Sequence, residues 1–321
     1  NERLLNPKNQ RFHYLNYIFF KMYISCMEYV NYKTFLRQLF PQFERVRKLP
    51  LHGGMSCPNL DGTKGFSGCS YCNNKSFSPV WDKAKVSVAT QLAERIPLLR
   101  KKYPNAGILA YFQPYTNTYA PSKRLREIYS PAFLHPEIAG ISIGTRPDCL
   151  PPDTIELLAE MNEEKPIIVE VGLQTANDKT LLNINRGHSF SEFENAVIRL
   201  TEAGLTVTTH LILGLPGETM EDFKNTARAV KELGIKAAKL HPLHIVCGTR
   251  MAQEYASCEF ELLTFEEYCE AAAAVIQEFG QDVCVERFSG ESPDEMLIAP
   301  DWCGDRERIV AEVTKILKSS K

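Results

Sequence analysis

An α/β protein built on a parallel sheet is what the sequence predicts, on three observations. Short apolar runs alternate with stretches of helical period from about residue 50 to the C-terminus. The connections are long enough to hold a helix, which parallel neighbours require and hairpin neighbours do not. No segment rich in Gly, Pro or Ser divides the chain and no repeat interrupts it, so one core domain with extensions is expected.

LPLHGG near residue 50 is the first strand, and an amphipathic stretch over 83–103 the first long helix. ILAYF at 108–112 comes next, then a helix over 121–130 and the strand GISIG at 140–144. Pro151, Pro152 and Asp153 open the next helix, because a proline in the first turn gives up only an N–H that has no partner there. IIVEVGL at 167–173 is a strand with a short helical run behind it, and Ser189 with Glu192 is a capping box for a helix ending near 203. Strand TTHLILG at 208–214, a helix over 219–233 and strand AAKLHPL at 237–243 continue the alternation. Thr264 and Glu267 cap a helix reaching about 279, VCVERF at 283–288 is a late strand, and the end is helical. The pattern fits an open doubly wound sheet and a full or partial barrel equally, since periodicity does not separate them.

Composition bounds the function. With 321 residues, 44% hydrophobic and 24% charged, the chain can bury a sizeable core. A net charge of -2 and a pI near 6.4 offer polyanions no global attraction. Contact with nucleic acid would rest on local basic pieces such as Arg45 to Lys48, Lys101 with Lys102, and Lys123 to Arg126. The apolar stretch over 12–30 is broken by His13, Asn16, Lys21 and Glu28, so no membrane partner and a cytoplasmic location are expected. Residues 1–30 read as an N-terminal extension, with Met27 as the expected true start. Residues 31–310 are the expected core domain, and 311–321 the end of a C-terminal helix.

Ten cysteines in such a chain point to reduced thiols or a metal site. Three of them, Cys57, Cys69 and Cys72, stand in a loop after the first strand that also carries five glycines over 53–72. Glycine lets backbone curl closely around a bulky inorganic centre, and three thiolates can hold three irons of a four-iron cluster, leaving one iron open. On spacing alone three readings stand: iron–sulfur, zinc completed by His52, Cys26 or Cys149, and no metal.

The loop resembles the cluster loop of the radical S-adenosylmethionine (SAM) superfamily. The later motifs resemble the branch that holds the catalytic subunit of Elongator and the YhcC/YtqA-type proteins. These motifs are YFQPYTNTYAP at 111–121, SIGTRPDCL at 142–150, GLQTANDKTLLNINRGHSF at 172–190 and HLILGLPGET at 210–219. Eleven residues separate Cys57 from Cys69, longer than the superfamily's commonest first gap and like the long gap of this branch. The resemblance implies a partial (β/α) TIM-like barrel of the radical SAM type with terminal extensions. It also implies a [4Fe-4S] cluster on Cys57, Cys69 and Cys72, and SAM across the C-terminal strand ends.

Roles implied by the resemblance fall on particular residues. Tyr71 stands where relatives place an aromatic beside the adenine, and Thr116 and Asn117, with Thr118, where relatives receive the SAM amino group. Thr145 and Arg146 end the third strand, where a guanidinium can pair with a carboxylate or phosphate. Gln174 and Arg186 are implied at the SAM ribose and carboxylate, and His210 at the ribose edge. Lys239, His241, His244, Arg287 and Trp302 are candidates for substrate contact. Packing, turn and ion-pair roles are open for each, and no catalytic residue is singled out. The implied activity is reductive SAM cleavage to a 5'-deoxyadenosyl radical, with flavodoxin or ferredoxin as electron donor. The expected substrate is tRNA at a wobble uridine; a small metabolite or peptide, and a non-catalytic zinc-binding RNA or adaptor module, are the alternatives.

Overall fold

The structure, a computed structural model, describes residues 28–320 with the exception of residue 291. The stretch before Met27, Met27 itself and Cys26 lie outside the described residues. Seven strands form one sheet: β1 (Val46–Leu51), β2 (Gly107–Phe112), β3 (Ile138–Thr145), β4 (Ile167–Gln174), β5 (Thr206–Leu213), β6 (Ala237–Pro242) and β8 (Cys284–Arg287). Every neighbouring pair is parallel and the sheet curls into a half-barrel, as the alternation and the resemblance imply. A short antiparallel pair, β7 (Ile245–Val246) with β9 (Leu297–Ala299), stands apart from it.

The covering helices are α3 (Val88–Lys102), α4 (Ser122–Phe133), α5 (Pro152–Glu164), α7 (Phe190–Glu202), α8 (Met220–Glu232), α10 (Phe265–Phe279) and α11 (Arg306–Ser319). Shorter ones are α1 (Tyr32–Leu39), α2 (Asn74–Phe77), α6 (Asp178–Asn183) and α9 (Arg250–Ala256). Both expected capping boxes form: Ser189 Oγ accepts from the Glu192 N–H at 3.2 Å, and Thr264 Oγ1 from that of Glu267 at 3.2 Å. Each glutamate closes its box on the cap backbone N–H, and a cap of this kind contributes about 1 kcal/mol. Thr219 and Asp222 form a third box at α8.

Alternation along the strands divides the side chains into two sets. Outward residues such as Ile108, Ile141, Val169, Val171, Leu211 and Leu240 pack against the helices in the main core, which α11 joins through Ile309, Val313 and Leu317. Inward residues change character along the axis. At the N-terminal end of the strands, Leu109, Ile168 and Ala237 pack on Phe35, Leu36 and Phe40 from α1 and its exit, so α1 plugs the bottom of the half-barrel. The next inward positions are polar: Lys48, Tyr111, Ser142, Glu170, His210 and Lys239.

α1 was not read from the sequence. Its placement depends on Gly140 in β3, where a Cβ would lie 2.7 Å from the Phe40 ring and 2.8 Å from the Pro166 carbonyl oxygen. Gly140→Ala is therefore expected to destabilise the fold by about 1–3 kcal/mol, the cost of overpacking against backbone. A lowered urea midpoint with unchanged slope checks this.

Candidate active site

The loop after β1 is folded by its own backbone. Leu60 and Asp61 donate to the Cys57 carbonyl at 2.8 and 3.2 Å, and Cys72 to that of Cys69 at 3.0 Å. Gly62 and Gly68 sit at φ 92° and 72°, where a side chain would be strained. The Asn-Arg-Gly-His segment after α6 holds this loop down. Asn59 Nδ2 donates to the carbonyls of Asn185 (2.8 Å) and Arg186 (3.2 Å), Asn185 Nδ2 to Gly68 O (2.6 Å), and Ser70 N to Ile184 O (2.9 Å). Gly187 packs too tightly for a Cβ, which would meet Asn59 Oδ1 at 2.7 Å.

Cys57, Cys69 and Cys72 all line one end of a cavity of about 440 Å³ at the C-terminal ends of the strands. Burial first, then the sulfurs of Cys69 and Cys57, push the Cys72 thiol up to about 12. A thiol disfavoured as an anion in this way becomes a ligating thiolate beside a cationic inorganic centre, which fits a cluster. Arg186 completes the donor set: Nη1 lies 3.6 Å from Cys69 Sγ and Nη2 donates to Gly172 O at 2.8 Å. Two buried donors, Arg186 Nε and Arg146 Nη1, have no hydrogen-bond partner among the described residues, as befits a wall that takes an anionic ligand group.

The other expected cofactor contacts divide. Gln174 lines the cavity with φ at 78°, a strained conformation that aims its side chain from the irregular end of β4. A Cβ on Gly172 would collide with Arg186 Nη2 at 2.6 Å and Gln174 Nε2 at 2.8 Å, so this glycine makes room for both. Tyr71, Thr116, Thr145, Arg146 and His210 line the cavity as well. Thr145 Oγ1 donates to Thr118 Oγ1 at 2.5 Å, since Thr118 gives its own proton to the Cys149 carbonyl. Arg146 is gripped by Asp148 at 2.9 and 3.0 Å. Asn117 is not on the wall: its Nδ2 donates to the carbonyls of Phe112, Pro114 and Gly144 and ties the loop after β2.

Of the expected substrate contacts, Lys239, His241, His244 and Arg287 line the far end of the cavity. Trp302 does not; it packs on Phe265 and Tyr268 at centroid distances of 5.7 and 5.4 Å. The residue that organises this end, Glu170, was missed. Its carboxylate accepts from Lys48 Nζ (2.6 Å), Ser142 Oγ (2.5 Å), Lys239 Nζ (2.6 Å) and His210 Nε2 (3.0 Å). The signal was a lone Glu inside the otherwise apolar run IIVEVGL. Lys48 corrects part of another reading: of the piece Arg45 to Lys48, Arg45 is exposed, but β1 points Lys48 inward, where it also meets Glu286 at 2.7 Å.

Two carboxyls are shifted in opposite directions. Burial alone would raise Glu170, but the Lys239 and Lys48 ammonium groups outweigh it and hold the carboxyl well below 4.5. Glu218, in the HLILGLPGET turn, is pushed up to about 7 by burial, against the hydroxyls of Thr175 and Thr180.

A model of the Radical SAM superfamily matches residues 65–230. The Radical_SAM C-terminal domain matches residues 235–319. The chain belongs to the radical SAM superfamily and is a radical SAM enzyme, which removes the non-catalytic alternative. Over 277 residues, covering 85% of this chain and 88% of the relative, it is 40% identical to Protein YhcC of Escherichia coli (strain K12). The tRNA-2-methylthio-N(6)-dimethylallyladenosine synthase of Bordetella petrii is 28% identical over 61% of this chain and 42% of its own length. In fold, the archaeal Methanocaldococcus infernus Elp3 is similar with a TM-score of 0.64 at 18% identity, covering 86% of this chain. The chain spans 63% of that Elp3 chain. Among the described residues no helix is long and apolar enough to cross a membrane.

Glu170→Gln leaves two buried lysines facing an amide, and a loss of about 3–5 kcal/mol is expected at neutral pH. Because the folded pKa lies below the unfolded one, the carboxylate's contribution is complete above pH 4.5 and fades as the pH falls through the folded value. The gap between variant and wild type in urea denaturation should accordingly shrink below pH 4.5. Glu218→Gln is expected to do the reverse. It relieves a carboxyl whose folded pKa is raised, so it stabilises by about 1–3 kcal/mol above pH 7 and by nothing below pH 4.5.

Proposed function

We propose that this enzyme holds a [4Fe-4S] cluster on Cys57, Cys69 and Cys72, binds SAM against Gln174, Arg186, Thr145 and Arg146, and modifies a tRNA nucleoside, with a wobble uridine as the target. One observation carries the cofactor reading: the three cysteines line one cavity together with the guanidinium groups of Arg146 and Arg186. When bound, the cluster held by the three cysteines and SAM would supply the one-electron chemistry, reductive SAM cleavage leading to hydrogen-atom removal from a C–H bond of the substrate. The chain supplies the rest. Arg186 sets a positive charge beside Cys69, and the guanidinium nitrogens of Arg186 and Arg146 without a partner among the described residues suit a carboxylate. The reductant is an electron donor of the flavodoxin or ferredoxin type.

The tRNA reading draws support from the name of the Bordetella relative and from the cysteine-loop face. Phe66 in that loop is 82% exposed, and Trp81 is 40% exposed with Lys75 Nζ 4.7 Å from its ring centroid. Exposed aromatic rings beside cations are the elements on which single-stranded bases stack, at about 1–3 kcal/mol per base. A second reading, a small metabolite or peptide, is favoured by the state of the basic pieces. Arg124 pairs with Glu127 at 2.9 Å, Arg126 with Glu160, and Lys48 is internal.

Anaerobic reconstitution should give brown protein with about four irons that releases 5'-deoxyadenosine with dithionite and SAM, and Cys57→Ala, Cys69→Ala and Cys72→Ala should each abolish release. A colourless zinc protein without release would overturn the cofactor reading. For the substrate, deletion should change the tRNA nucleoside profile. Unchanged nucleosides together with no tRNA retention at low salt would hand the function to the metabolite reading.

A further inference from the structure

The cavity wall also carries groups that the proposed cluster and SAM contacts leave unused, and it includes His210, which the structure ties to Glu170 and Lys239 and not to the ribose contact expected of it. The charges there are already matched. Lys48 and Lys239 face Glu170 and Glu286, two ammonium groups against two carboxylates, at 2.6–3.6 Å. Lys239 also donates to Tyr111 Oη at 3.0 Å.

Three imidazoles complete the wall, and hydrogen bonds fix two of their tautomers. His244 Nδ1 lies 3.1 Å from the Pro242 carbonyl, which only accepts, so the proton is on Nδ1 and Nε2 is left with its lone pair. His210 Nε2 lies 3.0 Å from Glu170 Oε2, which as a carboxylate also only accepts. The proton is therefore on Nε2 and the lone pair on Nδ1. Lys239 Nζ, 3.2 Å from the same Nε2, would ask for the opposite tautomer, but the ammonium has Glu170 Oε2 at 2.6 Å and Tyr111 Oη at 3.0 Å to donate to, whereas a lone pair on Nε2 would face a carboxylate oxygen at 3.0 Å. His241 stands with its ring centroid 5.7 Å from that of His210 and has no hydrogen-bond partner among the described residues. Burial, then the neighbouring cations, pushes His210 down to about 4 and His241 well below its ordinary value; burial lowers His244 too. The wall thus presents neutral acceptors at neutral pH.

Building on the radical SAM reading, we infer that the part of the substrate reaching the radical is an uncharged group with N–H or O–H donors, an amide, imide or hydroxyl, that donates to His210 Nδ1 and His244 Nε2. A carboxylate or phosphate would meet these lone pairs and lysines already matched by carboxylates. A protonated amine would lie beside Lys239 and Arg287.

The test uses reconstituted enzyme with SAM bound and three small probes: succinimide, acetate and methylguanidinium. Binding is monitored by ligand-observed NMR in the millimolar range expected of such small molecules. Succinimide should bind at least about tenfold more tightly than either ion, a difference of about 1.4 kcal/mol. His210→Phe with His244→Phe should remove that preference in protein whose circular dichroism is unchanged. Preference for acetate or methylguanidinium, or no binding of any probe, overturns the inference. So does a nitrogen chemical shift that places the His210 proton on Nδ1 in the unsubstituted protein, a measurement that needs no variant. SAM cleavage is assayed in the same samples, so its presence beside a failed preference leaves the radical SAM reading standing, and its absence removes that reading instead.

Discussion

One buried carboxylate constrains the whole interior. Glu170 sits on β4 at 1% exposure, and an ion taken that far from water costs several kcal/mol unless its neighbours compensate. Compensation comes from four strands at once: Lys48 of β1, Ser142 of β3, His210 of β5 and Lys239 of β6. A slip of one residue in any of these strands would turn its donor outward and leave the carboxylate short, so the pairing register and the ion cluster specify each other. The cluster also spans the opening of the half-barrel. β1 and β8 are the two edges of the sheet, and Lys48 reaches across to Glu286 where no backbone ladder joins them.

The layers stacked on this cluster have distinct physics. Beneath it, α1 supplies the apolar plug that a closed barrel would fill with its own strand residues. Above it, the strand ends open into the cavity, and the cysteine loop closes the side nearest β1. That loop is held less by its own turns than by the segment after α6, whose carbonyls and side chains take Asn59, Gly68 and Ser70. Arg186 belongs to both: its backbone carbonyl accepts from Asn59 and its guanidinium reaches Cys69, so the position of the sulfur and of the nearest positive charge are set together.

Much of the site was legible because its residue types are chemically narrow. Three cysteines among glycines admit few readings, and Gln174 and Arg186 lie in motifs whose neighbours are equally specific. Asn117 and Trp302 show the limit. An amide at a strand end and an indole after a late strand can face a cavity or turn away from it, and the backbone carbonyls of the β2 loop and the rings of Phe265 and Tyr268 claimed them. Lys48 was read by composition, as one cation in a basic run, because the first strand was read from Leu49 onward, whereas it begins at Val46 and its alternation turns Lys48 inward.

The sequence by itself determined the seven alternating strands with their main covering helices, the parallel sense of their pairing, two of the capping boxes and the candidate cysteines, because each rests on a local pattern of neighbouring residues. Only the tertiary structure decided which cations Glu170 would hold, how the open edges would be bridged, and which imidazole nitrogens would keep a lone pair. Lys48 is 122 residues from Glu170 and 238 from Glu286, and no local pattern connects them. They meet because a curled sheet brings inward positions of distant strands to one layer, and an ion in that layer must find its counter-charge there.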